Sequence, residues 1–139
     1  MLDLGAEPYL LASGLLGVLA QRLVRRICPD CKEQFEAGPE QLGAWGMVAG
    51  ELPVRTVYRG RGCAGCLDTG YRERIGVFEL LSVTESIREL VLQRGKASTI
   101  KAEAIVHGMT TLRADGLHKA VAGITTMDEV ARVTARDEF

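Results

Sequence analysis

The sequence predicts an α+β chain made of several small units. Three observations predict it: residues 1–27 are rich in leucine and small side chains, residues 28–75 are crowded with Gly, Pro, Cys and Arg, and residues 76–139 alternate helical segments with short polar breaks. A chain of 139 residues can hold one ordinary domain or a few small units with modest cores.

Met1 opens into LDLG, which reads as the last turn of a helix ended by Gly5, so the chain is expected to start in mid-fold as a fragment. Pro8 suits the first turn of a short helix, where its missing N–H would have no partner anyway. The run GVLAQRLVRRI, 17–27, has apolar residues at 18, 19, 20, 23, 24 and 27 that fit a helix, while its length and Gly17 permit a buried strand; periodicity leaves both open. In the middle segment the breakers leave room for one short helix near 39–45 and brief strands such as Val54 to Tyr58. Ile75 to Leu81 reads as a strand. Ser82 with Glu85 forms a capping-box pattern that would start a helix through about Gln93, Ser98 would open a second helix ending at Gly108, and Leu112 to Ala122 would form a third closed by Gly123. Thr126 with Glu129 would cap a fourth running towards Arg136. Leu90, Ile100, Ile105, Leu112, Leu117, Val121, Ile124, Val130 and Val133 are expected to form one core shared by the four helices.

The composition, 47% apolar and 25% charged, is that of a folded globular chain. With 17 basic and 18 acidic residues the bulk charge gives no reason to infer nucleic acid, a membrane surface or a polyanionic substrate. The apolar start is interrupted by Glu7, Pro8 and Gln21 and has no basic region before it, so it reads as neither a secretion signal nor a membrane span. The compartment expected is the cytoplasm, where paired cysteines more often bind metal than form disulfides.

All four cysteines fall in two CxxC pairs, Cys28 with Cys31 and Cys63 with Cys66, separated by 31 residues. A CxxC turn brings two thiolates to one point and aims backbone N–H groups at the sulfurs, so two such turns supply a tetrahedral set suited to zinc. Pro29 stiffens the first turn, and Gly65 is expected to take a backbone angle that a side chain would resist. Zinc is preferred over iron on availability, although a rubredoxin-like site uses the same ligands. Four cysteine ligands leave no open position, so one structural ion is expected, stapling a segment too poor in apolar residues to offset its own chain entropy.

Arg55, Arg59, Arg61, Arg72 and Arg74 cluster round the second pair with Tyr58 and Tyr71 between them, a pattern that can meet nucleic acid. Glu51, Asp68 and Glu73 dilute it, and a solvated or protein-contacting face is the reading adopted, with no nucleic-acid partner. His107 and His118 have no metal-spaced partner and read as ordinary surface or cap residues. No phosphate-binding GxxxxGK[ST] loop, GxGxxG or GxSxG occurs, so no catalytic or nucleotide-binding residue is assigned.

The elements QRLVR, CPDCK, CAGCLDTGYRERIG and DGLHKAVAGITTMDEVARVT together resemble the carboxy-terminal part of the type II secretion ATPase family, its cytoplasmic E component. The resemblance covers nearly the whole chain and is loosest over 40–57. It implies that residues 1–27 and 71–82 are the end of a RecA-like ATPase domain, as neighbouring strands. It further implies that 28–70 is an inserted tetracysteine zinc-binding subdomain and 83–139 a C-terminal helical subdomain. In such a family a hexameric ATPase, using ATP and Mg, drives pseudopilus assembly on an inner-membrane platform, to which it is peripheral on the cytoplasmic side. The family's Walker and His-box motifs are not in this chain, so by itself it should neither bind ATP tightly nor hydrolyse it. The related type IV pilus extension ATPase and a free-standing zinc-ribbon module are the alternative readings.

Overall fold

The computed structural model describes residues 14–47 and 50–134; the expected helix end at Gly5 and the helix at Pro8 lie outside them. The chain divides into two compact units. Described residues 14–20 and 78–111 belong to the first, and 21–47, 50–77 and 112–134 to the second.

The ambiguous run 17–27 is a strand, β1 (Gly17–Ile27). It pairs with β4 (Tyr71–Ser82), longer at both ends than the expected strand at 75–81. Cys28 N donates to Gly70 O at one end (2.9 Å) and Val83 N to Leu16 O at the other (3.0 Å), so the two strands run antiparallel. A partner strand decides what periodicity could not, because it takes up the backbone donors and acceptors that a helix would have satisfied internally.

In the first unit, α2 (Glu85–Leu92) and α3 (Ala97–Val106) form a helical pair. Their starts differ from the sequence expectation. Thr84, not Ser82, caps α2, its Oγ1 accepting from Ile87 N, because Ser82 is still the last residue of β4. Lys96 stands at the cap of α3 and Ser98 lies inside its first turn. His107 follows α3 and is held by Glu103 at 2.9 Å.

In the second unit, β2 (Lys32–Glu36) and β3 (Thr56–Gly60) are antiparallel, with Glu33 opposite Arg59 and Phe35 opposite Val57. β3 lies close to the strand expected from Val54, whereas β2 was unforeseen: KEQFE is too polar to announce a strand. Between them is α1 (Pro39–Ala44), where Gly38 N donates to the Gln41 side chain (2.8 Å). α4 (Leu112–Val121) is followed by Gly123 at φ +81°, a turn that a side chain would resist. α5 (Met127–Thr134) is capped by Thr126, whose Oγ1 accepts from Glu129 N at 3.1 Å; its expected run to Arg136 passes beyond the described residues.

The four helices do not build one core, as expected, but fall in pairs into the two units. In the second, Trp45, Met47 and Val57 of the middle segment are buried with Ala120 of α4 and Met127 and Val130 of α5. Trp45 Nε1 donates to Asp128 at 2.7 Å, and Gly116 packs so closely on Val130 that a Cβ there would come within 2.8 Å of it. Ile105, assigned to the core, is exposed. The middle segment thus obtains its apolar partners from α4 and α5.

Candidate metal centre

The four cysteines converge as their spacing predicts. Their Sγ atoms all lie within 4.8 Å of one another, and the thiols are free rather than disulfide-bonded. Local structure delivers them from two turns. Cys28 leaves the end of β1, and Cys31 leads into β2, its carbonyl accepting from Arg61 N at 3.0 Å. Cys63 to Cys66 closes a tight 3-10 turn, after which Leu67 and Asp68 both adopt left-handed backbone at φ +56° and +61°.

Gly65 is not the residue in left-handed backbone; a Cβ there would stand 3.0 Å from the Asp30 carboxylate, so its role is space. The glycines the turns require are Gly62 (φ +101°) and Gly70 (φ +82°). Gly70 lies back to back with Gly60, where a Cβ on either would overlap the other's backbone.

Backbone donors point at the sulfurs: Gly62 N at Cys31 Sγ (3.3 Å), and Cys63 N and Gly70 N at Cys66 Sγ (3.3 and 3.2 Å). Burial pushes the Cys31 thiol up to about 12. Burial also opposes ionisation of Cys66, but the N–H groups of Cys63 and Gly70, with the thiols of Cys63 and Cys31, outweigh it and bring Cys66 down to about 6. Several thiolates in one small volume repel one another, and a cation at the centre removes that conflict.

The donor set fits a tetrahedral ion. With Zn–S bonds of about 2.3 Å, the edge of a tetrahedron is about 3.8 Å. The Sγ separations are 3.7 Å for Cys28 and Cys63, 3.8 Å for Cys31 and Cys66, and 3.7 Å for Cys63 and Cys66. Cys28, Cys31 and Cys66 are buried and Cys63 is partly so.

A second polar cluster in this unit was not anticipated. Glu129, read from the sequence as a cap partner, is buried with its side chain 2% exposed. Its Oε2 accepts from Arg25 N (2.8 Å) and Arg132 Nη2 (2.8 Å), its Oε1 from Arg25 Nη2 (2.9 Å) and Arg132 Nε (3.2 Å). Burial pushes this carboxyl up, but Arg132, Arg25 and the Arg25 N–H outweigh it and hold it at about 2. The only sequence signal was a glutamate three residues from a basic one on a helix; its second partner is 104 residues away.

Several members of the arginine–tyrosine cluster have partners nearby. Arg59 pairs with Glu33 and lies over Phe35, Arg72 reaches Asp30, and Lys32 covers the Tyr58 ring. Tyr71 lies under Arg25 and bonds Thr126 at 2.9 Å.

A lobe in which four thiols from two turns can hold one ion defines the class: a tetracysteine protein of mixed α/β build. The family described as Type II/IV secretion system protein matches residues 1–132, and the chain belongs to it. Relatives in that family include the Type II secretion system ATPase E of Vibrio cholerae, 45% identical over 133 residues that cover 95% of this chain and 26% of the relative. The Type II secretion system protein E of Dickeya dadantii is 42% identical over 135 residues, 97% of this chain and 26% of the relative. The Type IV pilus assembly ATPase PilB of Thermus thermophilus is 44% identical over 128 residues, 92% and 14% of the two chains. The chain thus spans from 14% to 26% of these relatives' lengths. Among the described residues no helix is long and apolar enough to cross a membrane.

Proposed function

We propose that the chain is the C-terminal portion of a cytoplasmic hexameric ATPase that powers type II protein secretion by driving pseudopilus assembly. In this reading ATP and Mg are used by the whole protein, which sits on inner-membrane platform proteins and needs no nucleic acid. Residues 1–27 and 71–82 close the RecA-like domain, 28–70 form the inserted lobe, and 83–139 follow as helical subdomain. The observation that carries the reading is the placement of the tetracysteine lobe between the paired strands β1 and β4, in a chain whose family match runs over residues 1–132.

Cys28, Cys31, Cys63 and Cys66 would hold one zinc ion, preferred over iron on availability. Bound there, zinc supplies a cross-link and a charge balance for the thiolates. The chain's own residues do the rest: N–H groups of Gly62, Cys63 and Gly70 orient the sulfurs, and Arg61 N closes the lobe on Cys31 O. A lobe so placed is suited to contact the platform.

The test replaces Cys63 and Cys66 by serine in the full-length protein and measures metal content, hexamer formation and export. Loss of about one zinc per chain together with loss of export is expected. Normal export without the metal would overturn the lobe's role, and full retention of the metal would overturn the ligand assignment. The 44% identity to the Thermus pilus assembly ATPase favours a second reading, assembly of type IV pili. Deleting the gene separates them: lost export with intact pili supports secretion, and the converse supports pili.

A further inference from the structure

We infer that the groove around Arg25, Arg74 and Arg132 in the second unit is a docking site for an extended acidic polypeptide segment of a partner. Leu23, Arg25, Arg74 and Arg132 line a depression of about 450 Å³. A second depression, of about 210 Å³, continues it along β4 past Tyr71 to Arg72 and Glu73, and the two share Arg25 and Arg74.

Two of the arginines are pre-positioned. Buried Glu129 takes one Nη of Arg25 and the Nε and one Nη of Arg132, which sets the plane of each guanidinium, while the two side chains stay 46% and 56% exposed. Arg25 is fixed further by stacking on Tyr71 at 4.1 Å. The third, Arg74, is exposed and has no hydrogen-bond or ion-pair partner among the described residues.

The charge balance is positive. Four arginines (25, 72, 74 and 132) line the two depressions with one carboxylate, Glu73, which pairs with Arg26; Asp30 is on Arg72 and Glu129 lies between Arg25 and Arg132.

Size and composition select the occupant. The joined depressions are far larger than one tetrahedral anion, and Leu23 offers an apolar contact in the first of them. Base stacking finds no free ring, because Tyr71 is covered by Arg25 and its hydroxyl is bonded to Thr126. Guanidinium forks match carboxylates in a bidentate manner, and alternate side chains of an extended segment would meet the arginines in turn.

The test uses the zinc-loaded chain and a synthetic peptide of about eight residues alternating glutamate and leucine, which in extended form turns all its glutamates to one face. Binding is measured by calorimetry beside its glutamine analogue and inorganic phosphate. The glutamate peptide should bind, weaken as salt rises, and lose about tenfold in affinity in Arg74→Gln, the value of one charge-assisted bond. Arg55→Gln, the same charge change outside the groove, should leave affinity unaltered. Arg74→Gln should also keep its thermal midpoint, since among the described residues the side chain has no hydrogen-bond or ion-pair partner. Equal binding of the glutamine analogue, or unchanged affinity in Arg74→Gln, would overturn the proposal; binding of phosphate but not of the peptide would overturn the segment in favour of a small-anion site.

Discussion

Replacing Glu129 by glutamine probes the joint between β1 and α5 with little change of volume. The carboxylate receives four hydrogen bonds from Arg25 and Arg132, all between 2.8 and 3.2 Å. Its carboxyl is held at about 2. Against an unfolded glutamate at about 4.3, the difference corresponds to roughly 3 kcal/mol, present above the unfolded value and lost as pH falls towards the folded one. The arginine heads are about half exposed, 46% and 56%, so water compensates part of the loss and about 2–3 kcal/mol is expected at pH 7.

Trp45, the single tryptophan, is buried in the same unit and reports its unfolding by fluorescence. Urea titrations of parent and variant, compared at each pH so that proton-linked metal loss common to both cancels, give the difference. The parent's advantage should shrink by about 0.6 kcal/mol between pH 7 and pH 4, because only the parent's carboxylate begins to take up a proton as its unfolded form does so more readily. A penalty below about 1 kcal/mol at pH 7, or one that grows towards acid, would refute the assignment of Glu129 as a charged anchor.

Two further substitutions test the backbone reading. Glu73 has φ +65° within β4 and only an exposed contact to Arg26 at 3.6 Å, so Glu73→Gly should relieve strain of about 1–2 kcal/mol against small losses and raise the thermal midpoint; a lowered midpoint would contradict this. Gly70→Ala would force a Cβ into Gly60 while disturbing the N–H to Cys66 and the carbonyl that receives Cys28 N, so zinc stoichiometry measured after purification should fall below one per chain, whereas full retention would show that the two turns can part without loss of the ion.

Local rules carried the four-cysteine cluster and several element ends. CxxC spacing is a property of one turn of chain, so both cysteine pairs were legible, as were the α1 region, Thr126 at the start of α5, and Gly123 after α4. The start of α2 was misread because Ser82 satisfies the same local pattern as Thr84, and only the length of β4 removes it. The polar strand β2 carried no apolar signal, since its stability comes from the ladder with β3.

What the sequence determined by itself is the meeting of four cysteines and the family likeness, for both reside in side-chain identity and short spacing. For 17–27 periodicity left helix and strand open, the family likeness implied a strand, and pairing with β4 bears it out; the tertiary structure alone decided that Trp45 and Val57 share a core with α4 and α5, and that Glu129 joins Arg25 rather than closing a capping box. Each of those outcomes depends on a partner distant in the chain, and pairing across such a separation is governed by which backbone groups, apolar faces and charges are brought together on folding.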